Sequence, residues 1–195
     1  DTGSRGLGDV YKRQLIYGNM RALCEAPQMM LHYADIPYEY KMVWDHYGSS
    51  WAEVKKDIIF NRLPILIINE DKYLWQSNTI IRYLSNLTKT KPSDEFQLAY
   101  CDAVFESTHE MFSPLNPTIN MTFGEKYNSN KKKLLEDILP NSLNNFEKLL
   151  QNSSGNFFIG NDPFYCDFNA YHHFSMCLIL DLSLIHISEP TRPSI

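Results

Sequence analysis

Apolar positions recur along this chain with two different periods, and the change between them divides it. Leu15-Ile16-Tyr17 is a short apolar run that predicts a first strand. Leu23, Met30 and Leu31 fall at helical spacing and predict a helix from about Leu23 to Ala34, with Pro27 in its early turns. Tyr38 to Val43 alternates and predicts a second strand, followed by a polar, aromatic loop with a short helix near Trp51–Ile58. The run Ile65-Leu66-Ile67-Ile68 opens after Pro64 and closes at the polar turn Asn69-Glu70-Asp71, and a further strand follows at Tyr73-Leu74-Trp75. Ser77 then stands at the N-cap position of a helix ending near Leu87, whose apolar face is Ile80, Ile81 and Leu84. Beyond Asp94 the period is helical throughout. One helix is predicted from Asp94 to Met111, broken or kinked at Ser113-Pro114-Leu115-Asn116-Pro117. A second is predicted from Lys131 to Leu150 with a kink at Pro140, and a last one from Asp167 to Asp181 after a turn around Gly155–Gly160.

The first part has the β-α-β-α-β-β-α order of a thioredoxin-like domain, assigned to 15–88. The segment Thr88 to Ser93 reads as a linker, because Pro92 blocks continuation of the helix. A helical domain follows at 93–181. The fold class is thus α/β plus all-α. With 44% hydrophobic and 13% aromatic residues, the chain has enough apolar surface to form a core. A net charge of −5 argues against nucleic acid as a partner, and Lys131-Lys132-Lys133 reads as the solvated first turn of a helix. No apolar run approaches the ~18 residues that would span a membrane. Cys24, Cys101, Cys166 and Cys177 show neither CxxC nor metal spacing and read as buried, reduced thiols. His172 and His173 are adjacent and point to different helix faces, so no metal site is expected there.

Candidate chemistry gathers around the hairpin. Pro64 opens its strand with no N–H, which would leave the Leu63 peptide facing outward, ready to pair with an extended peptide. Ser77 and the helix N-terminus behind it suit an anion, since unpaired N–H groups and the helix dipole point the same way. Trp51 and Lys55 lie four apart and share a helix face; the indole N–H and the ammonium are both donors, as an anion requires. Such a constellation suits a small peptide that carries carboxylates.

Arg62-Leu63-Pro64, the hairpin, Gln76-Ser77 and the helix together resemble the glutathione-binding half of the cytosolic glutathione transferases. Tyr17-Gly18-Asn19-Met20-Arg21 is similar to the Tyr-x-x-x-Arg segment of the tyrosine-type members, nearest the mu and sigma classes. The resemblance implies that Tyr17 is catalytic, its hydroxyl donating to the glutathione sulfur. A free thiol has a pKa near ~8.5 and the thiolate is the nucleophile, so a donor to the charged form favours reaction. It further implies that Leu63 pairs through its backbone with the cysteinyl unit, that Pro64 is cis, and that Gln76 and Ser77 hold the γ-glutamyl end. Trp51 and Lys55 would hold the glycine carboxylate. Asp102 resembles an acid that reaches across a dimer to the glutathione ammonium, or is a solvated helix residue. Phe60 resembles an aromatic key inserted into a partner subunit, or is a core residue. Three departures stand out: Arg62 where Asn or Gln is usual, Phe164 in the Ser/Thr place of a capping box with Asp167, and Ala22 where glycine is usual. Ala22 would strain the turn if its backbone needed a positive φ.

The implied function is conjugation of glutathione, as co-substrate and with no other cofactor or metal, to an electrophilic small molecule by a cytoplasmic homodimer. A non-catalytic structural or ligand-binding member of the same fold, and a sigma-like glutathione-dependent isomerase, are the alternatives. The two ends carry a separate expectation. Codons for Asp9–Gln14 can be chosen whose reverse complement encodes Leu182–Ile187, and both segments resemble a translated sequencing-adapter end. Residues 1–14 and 182–195 are therefore expected to be adapter-derived, and the helical domain to be truncated.

Overall fold

The structure, a computed structural model, describes residues 11–180. The expectation for 1–14 and 182–195 thus lies outside the described residues, except at Tyr11–Gln14. The chain divides into two compact units between Leu84 and Ser85.

The first unit holds a four-stranded sheet in the order β2-β1-β3-β4. Its strands are β1 (Arg13–Tyr17), β2 (Glu39–Met42), β3 (Ile65–Ile68) and β4 (Lys72–Trp75). β1 begins two positions ahead of the expected Leu15, because a ladder bonds through the backbone and Arg13 and Gln14 pair with Ile68 and Ile67. β1 runs parallel to β2 and antiparallel to β3, which is antiparallel to β4. The parallel pair needs a crossover, supplied by helix α1 (Glu25–Tyr33). Pro27 sits in its first turn, where the missing N–H forfeits no helical bond. The short helices α2 (Val43–Tyr47) and α3 (Trp51–Val54) follow β2, and Gly48 ends α2 in the left-handed conformation that glycine adopts without steric cost. Strand alternation sets Ile16, Ile65 and Ile67 on one sheet face, where Val43 and Ile58 pack on them and Trp51, Val54, Leu63 and Trp75 cover the cluster. Helix α4 (Ser77–Leu87) closes the unit and buries Ile80, Ile81 and Leu84, as its pattern predicts.

The second unit is helical among its described residues. Helix α5 (Glu95–Met121) is capped by Asp94, which accepts from the Gln97 N–H at 2.8 Å. It does not break at Pro114 and Pro117, contrary to the sequence reading. Burial of Met111, Phe112, Leu115 and Thr118 along one face holds the stretch helical. Thr118 Oγ1 donates to the Pro114 carbonyl and Thr122 Oγ1 to the Thr118 carbonyl, each at 2.8 Å. Helix α6 (Gly124–Lys133) starts well before Lys131, so the three lysines form its last turn and not a first one. A wider π-type stretch at Leu134–Ile138 leads into α7 (Leu139–Gln151), and Pro140 lies in the first turn of that helix, where proline fits. Helix α8 (Tyr165–Leu180) packs against α5 and is buried on most of its circumference. That is why His172 and His173, though adjacent, both lie in the core: His173 stacks on Phe112 with centroids 3.9 Å apart, and His172 meets the same ring edge-on at 5.4 Å. All four cysteines are buried and unbridged.

Candidate active site

Three strand ends meet at one edge of the sheet. Ile16 pairs with Ile65, and Ile65 with Trp75, so the next positions along the ladder are Tyr17, Pro64 and Gln76. The Leu63-Pro64 peptide is cis, and Gln76 has φ 69°, a left-handed value that a non-glycine residue rarely adopts. Gln76 therefore carries backbone strain at one of the candidate positions.

Tyr17 is 6% exposed, and its hydroxyl oxygen accepts from the Leu23 N–H at 3.3 Å. Burial pushes its pKa up to about 12, against the lowering effect of the Leu23 bond. The hydroxyl thus keeps its proton at neutral pH, and the Leu23 bond uses a lone pair, not the proton. Ala22 is fully buried but its φ is not positive, so the departure from glycine brings no strain.

Ser77 does not cap α4. The Ile80 N–H bonds the Gln76 carbonyl at 3.0 Å, so the cap falls on Gln76 and Ser77 is the first helical residue. Ser77 is 8% exposed, with its Oγ 3.5 Å from Asn78 Oδ1, and its N–H belongs to the first turn, where helical partners are lacking. Trp51 and Lys55 are joined by one turn, the Lys55 N–H bonding the Trp51 carbonyl. Trp51 is part-buried on the isoleucine cluster beside Leu63, and Lys55 is exposed.

Phe60 is 59% exposed and is not a core residue. It stands at φ 66° between two short helical turns, with its ring edge-on to Trp75 at 6.2 Å. Trp75 in turn stacks on Tyr73 of the edge strand β4. Asp102 lies in the second unit, where it accepts from the buried Tyr165 hydroxyl at 2.9 Å, so it is not merely solvated. Asp167 makes the expected half of a capping box to the Phe164 N–H at 2.9 Å, and its other oxygen accepts from the Phe158 N–H at 3.0 Å. Among the described residues no cluster of three or more His, Cys, Asp or Glu is arranged to hold a metal, and no helix is long and apolar enough to cross a membrane.

The sequence reading missed two parts of this arrangement, the Leu23 N–H on the Tyr17 hydroxyl and the Tyr40 hydroxyl, which donates to the Gly18 carbonyl at 2.7 Å. The first is a backbone group and leaves no trace in residue type. The second belongs to a strand tyrosine that alternation alone accounts for.

A thioredoxin-like unit with a cis-proline at one strand end, followed by a helical unit, is a fold shared with known enzymes. The family model for the glutathione S-transferase N-terminal domain matches residues 13–86, and that for the C-terminal domain matches residues 109–185. A glutathione S-transferase of Plasmodium falciparum (isolate 3D7) is 30% identical over 171 residues, covering 80% of this chain and 77% of that protein. Glutathione S-transferase P of Caenorhabditis elegans is 26% identical, covering 86% of this chain and 77% of that protein. The solved pi-class glutathione S-transferase of Onchocerca volvulus superposes with a TM-score of 0.77 at 25% identity, over 90% of this chain and 81% of that one. The chain belongs to the glutathione S-transferase family.

Proposed function

We propose that this protein binds glutathione at the sheet edge formed by Tyr17, Leu63-Pro64 and Gln76-Ser77, and activates its thiol for attack on an electrophilic small molecule. The observation that carries this reading is the protonated Tyr17 hydroxyl at the strand end beside the cis-proline. A neutral donor there stabilises the thiolate over the thiol, and a shift of about two pKa units is roughly 2.7 kcal/mol of such preference. Leu63 precedes β3 and offers its backbone to the cysteinyl unit. Gln76 and Ser77, with the first-turn N–H groups of α4, receive the γ-glutamyl carboxylate. Trp51 and Lys55 receive the glycine carboxylate. Asp102 meets the glutathione ammonium across a dimer, and Phe60 is the residue that enters the partner. Glutathione is the co-substrate, with no metal or other cofactor, and the compartment is the cytoplasm.

Immobilised glutathione tests the site. The wild type should be retained, and Ser77→Ala should be retained several-fold less. Conjugation of glutathione to a chromogenic electrophile then reads the reaction. A Ser77→Ala protein retained as well as wild type removes Ser77 from the site, and a wild type with no conjugation above the uncatalysed rate overturns the enzymatic reading.

A further inference from the structure

β1 and β2 are parallel with Leu15 opposite Tyr40, so Tyr40 shares a sheet face with Leu15 and Tyr17. From there its hydroxyl donates a short 2.7 Å bond to the carbonyl of Gly18, the residue that follows Tyr17. Gly18 opens the turn that returns through Ala22 to α1, and this turn carries the Leu23 N–H to the Tyr17 hydroxyl. The turn is therefore tied at its start by Tyr40 and near its end by Tyr17 itself. At 3.3 Å the Leu23–Tyr17 bond is slightly longer than the usual N–H···O range, so a small movement of the turn loses it.

We propose that Tyr40 is a positioning residue for thiolate activation, holding the Gly18 carbonyl so that the turn presents the Leu23 N–H to Tyr17 and orients its hydroxyl proton toward the bound sulfur. This rests on the reading of Tyr17 given above. With its lone pair engaged by Leu23, the hydroxyl is both oriented and polarised as a donor. Once the Gly18 peptide is released, the hydroxyl rotates and the thiolate loses part of its stabilisation. The titratable groups around Tyr40 are Cys24, Tyr17, Glu25 and Tyr38, and all of them survive its replacement by Phe.

The test is the thiolate absorbance of bound glutathione, titrated in wild type, Tyr17→Phe, Tyr40→Phe and the double variant, with Tyr38→Phe as control. Tyr38 bonds Gln28 and His32, away from the turn. Tyr40→Phe keeps the ring and retains the fold, which retention on immobilised glutathione checks. Tyr17→Phe should raise the midpoint. Tyr40→Phe should raise it by about half a pH unit or more, a roughly three-fold loss of thiolate below the midpoint. The double variant should match Tyr17→Phe, Tyr38→Phe should match wild type, and KM for glutathione should change less than kcat. A Tyr40→Phe midpoint equal to that of wild type, or an equal added shift in the Tyr17→Phe background, overturns the role of Tyr40 and leaves Tyr17 standing. An unshifted Tyr17→Phe overturns the reading of Tyr17 and this inference with it.

Discussion

Burial drives Tyr17 and His173 in opposite directions and leaves both neutral at pH 7. Desolvation penalises the charged form, so it raises the tyrosine to about 12 and lowers the imidazole well below its usual value. For Tyr17 the consequence, on the proposed reading, bears on catalysis. Tyr17→Phe should cut kcat with little effect on glutathione affinity, and should move the bound thiolate to higher pH by about one to two units, or roughly 1.4–2.7 kcal/mol. Equal midpoints in the two proteins would refute the proposed role. For His173 the consequence is stability. As pH falls below about 6.5 the unfolded imidazole takes up a proton that the folded one refuses, so folding is weakened from that point downward, by up to about 1.4 kcal/mol per pH unit. Above pH 6.5 the imidazole is neutral in both states and this penalty is absent. Urea midpoints at pH 7.5 and 5.5 should differ in wild type and differ less in His173→Phe, which keeps a ring against Phe112. Identical differences would show that His173 is not the group responsible.

Individual elements are joined by a few side-chain bonds that propensity does not reveal. Asp167 is the main example. Its two carboxylate oxygens hold the Phe164 and Phe158 N–H groups, tying the start of α8 to the turn before it. Burial raises its pKa although both backbone bonds pull the other way, so the bonds, more than the charge, are its structural contribution. Asp167→Ala leaves two N–H groups without their acceptor and should cost about 2–3 kcal/mol in urea denaturation. Asp167→Asn, which keeps one carbonyl acceptor, should cost less. A cost below about 0.5 kcal/mol for Asp167→Ala would mean that water replaces the carboxylate at both sites.

At the scale of the whole molecule, Phe60 is one of several large apolar side chains left exposed, and it combines that exposure with a left-handed backbone. This large apolar ring is more than half exposed, is held at a left-handed φ, and meets Trp75 edge-on. On the proposed assignment it docks in a second copy of the chain. Light scattering at micromolar concentration should give a homodimer for wild type and a shift toward monomer for Phe60→Ser, because truncating an aromatic that acts as an interface hot spot costs about 2 kcal/mol or more. A wild type that stays monomeric would count against both the docking of Phe60 and the cross-subunit role of Asp102.

Sequence alone determined whatever depends on local period and residue type. The Ile65–Ile68 strand was legible as a short apolar run closed by turn residues, and the apolar face of α4 by its 3.6-residue recurrence. Resemblance to the glutathione transferases, not period, singled out Tyr17, Leu63-Pro64 and Gln76-Ser77; the structure brings Tyr17, Pro64 and Gln76 to neighbouring strand ends, and their roles are those proposed above. Tertiary structure decided the remainder. Pro114 and Pro117 have the local signature of a helix break, yet burial of Phe112 and Leu115 against neighbouring helices outweighs it. His172 and His173 cannot share one narrow helix face, and both are buried only because α8 is surrounded. The N-cap fell on Gln76 and not on Ser77, because the strand register brings the chain into α4 one residue earlier. The bonds from Leu23 and Tyr40 around Tyr17 join residues six and twenty-two positions apart, and no pattern of residue types encodes where a turn returns.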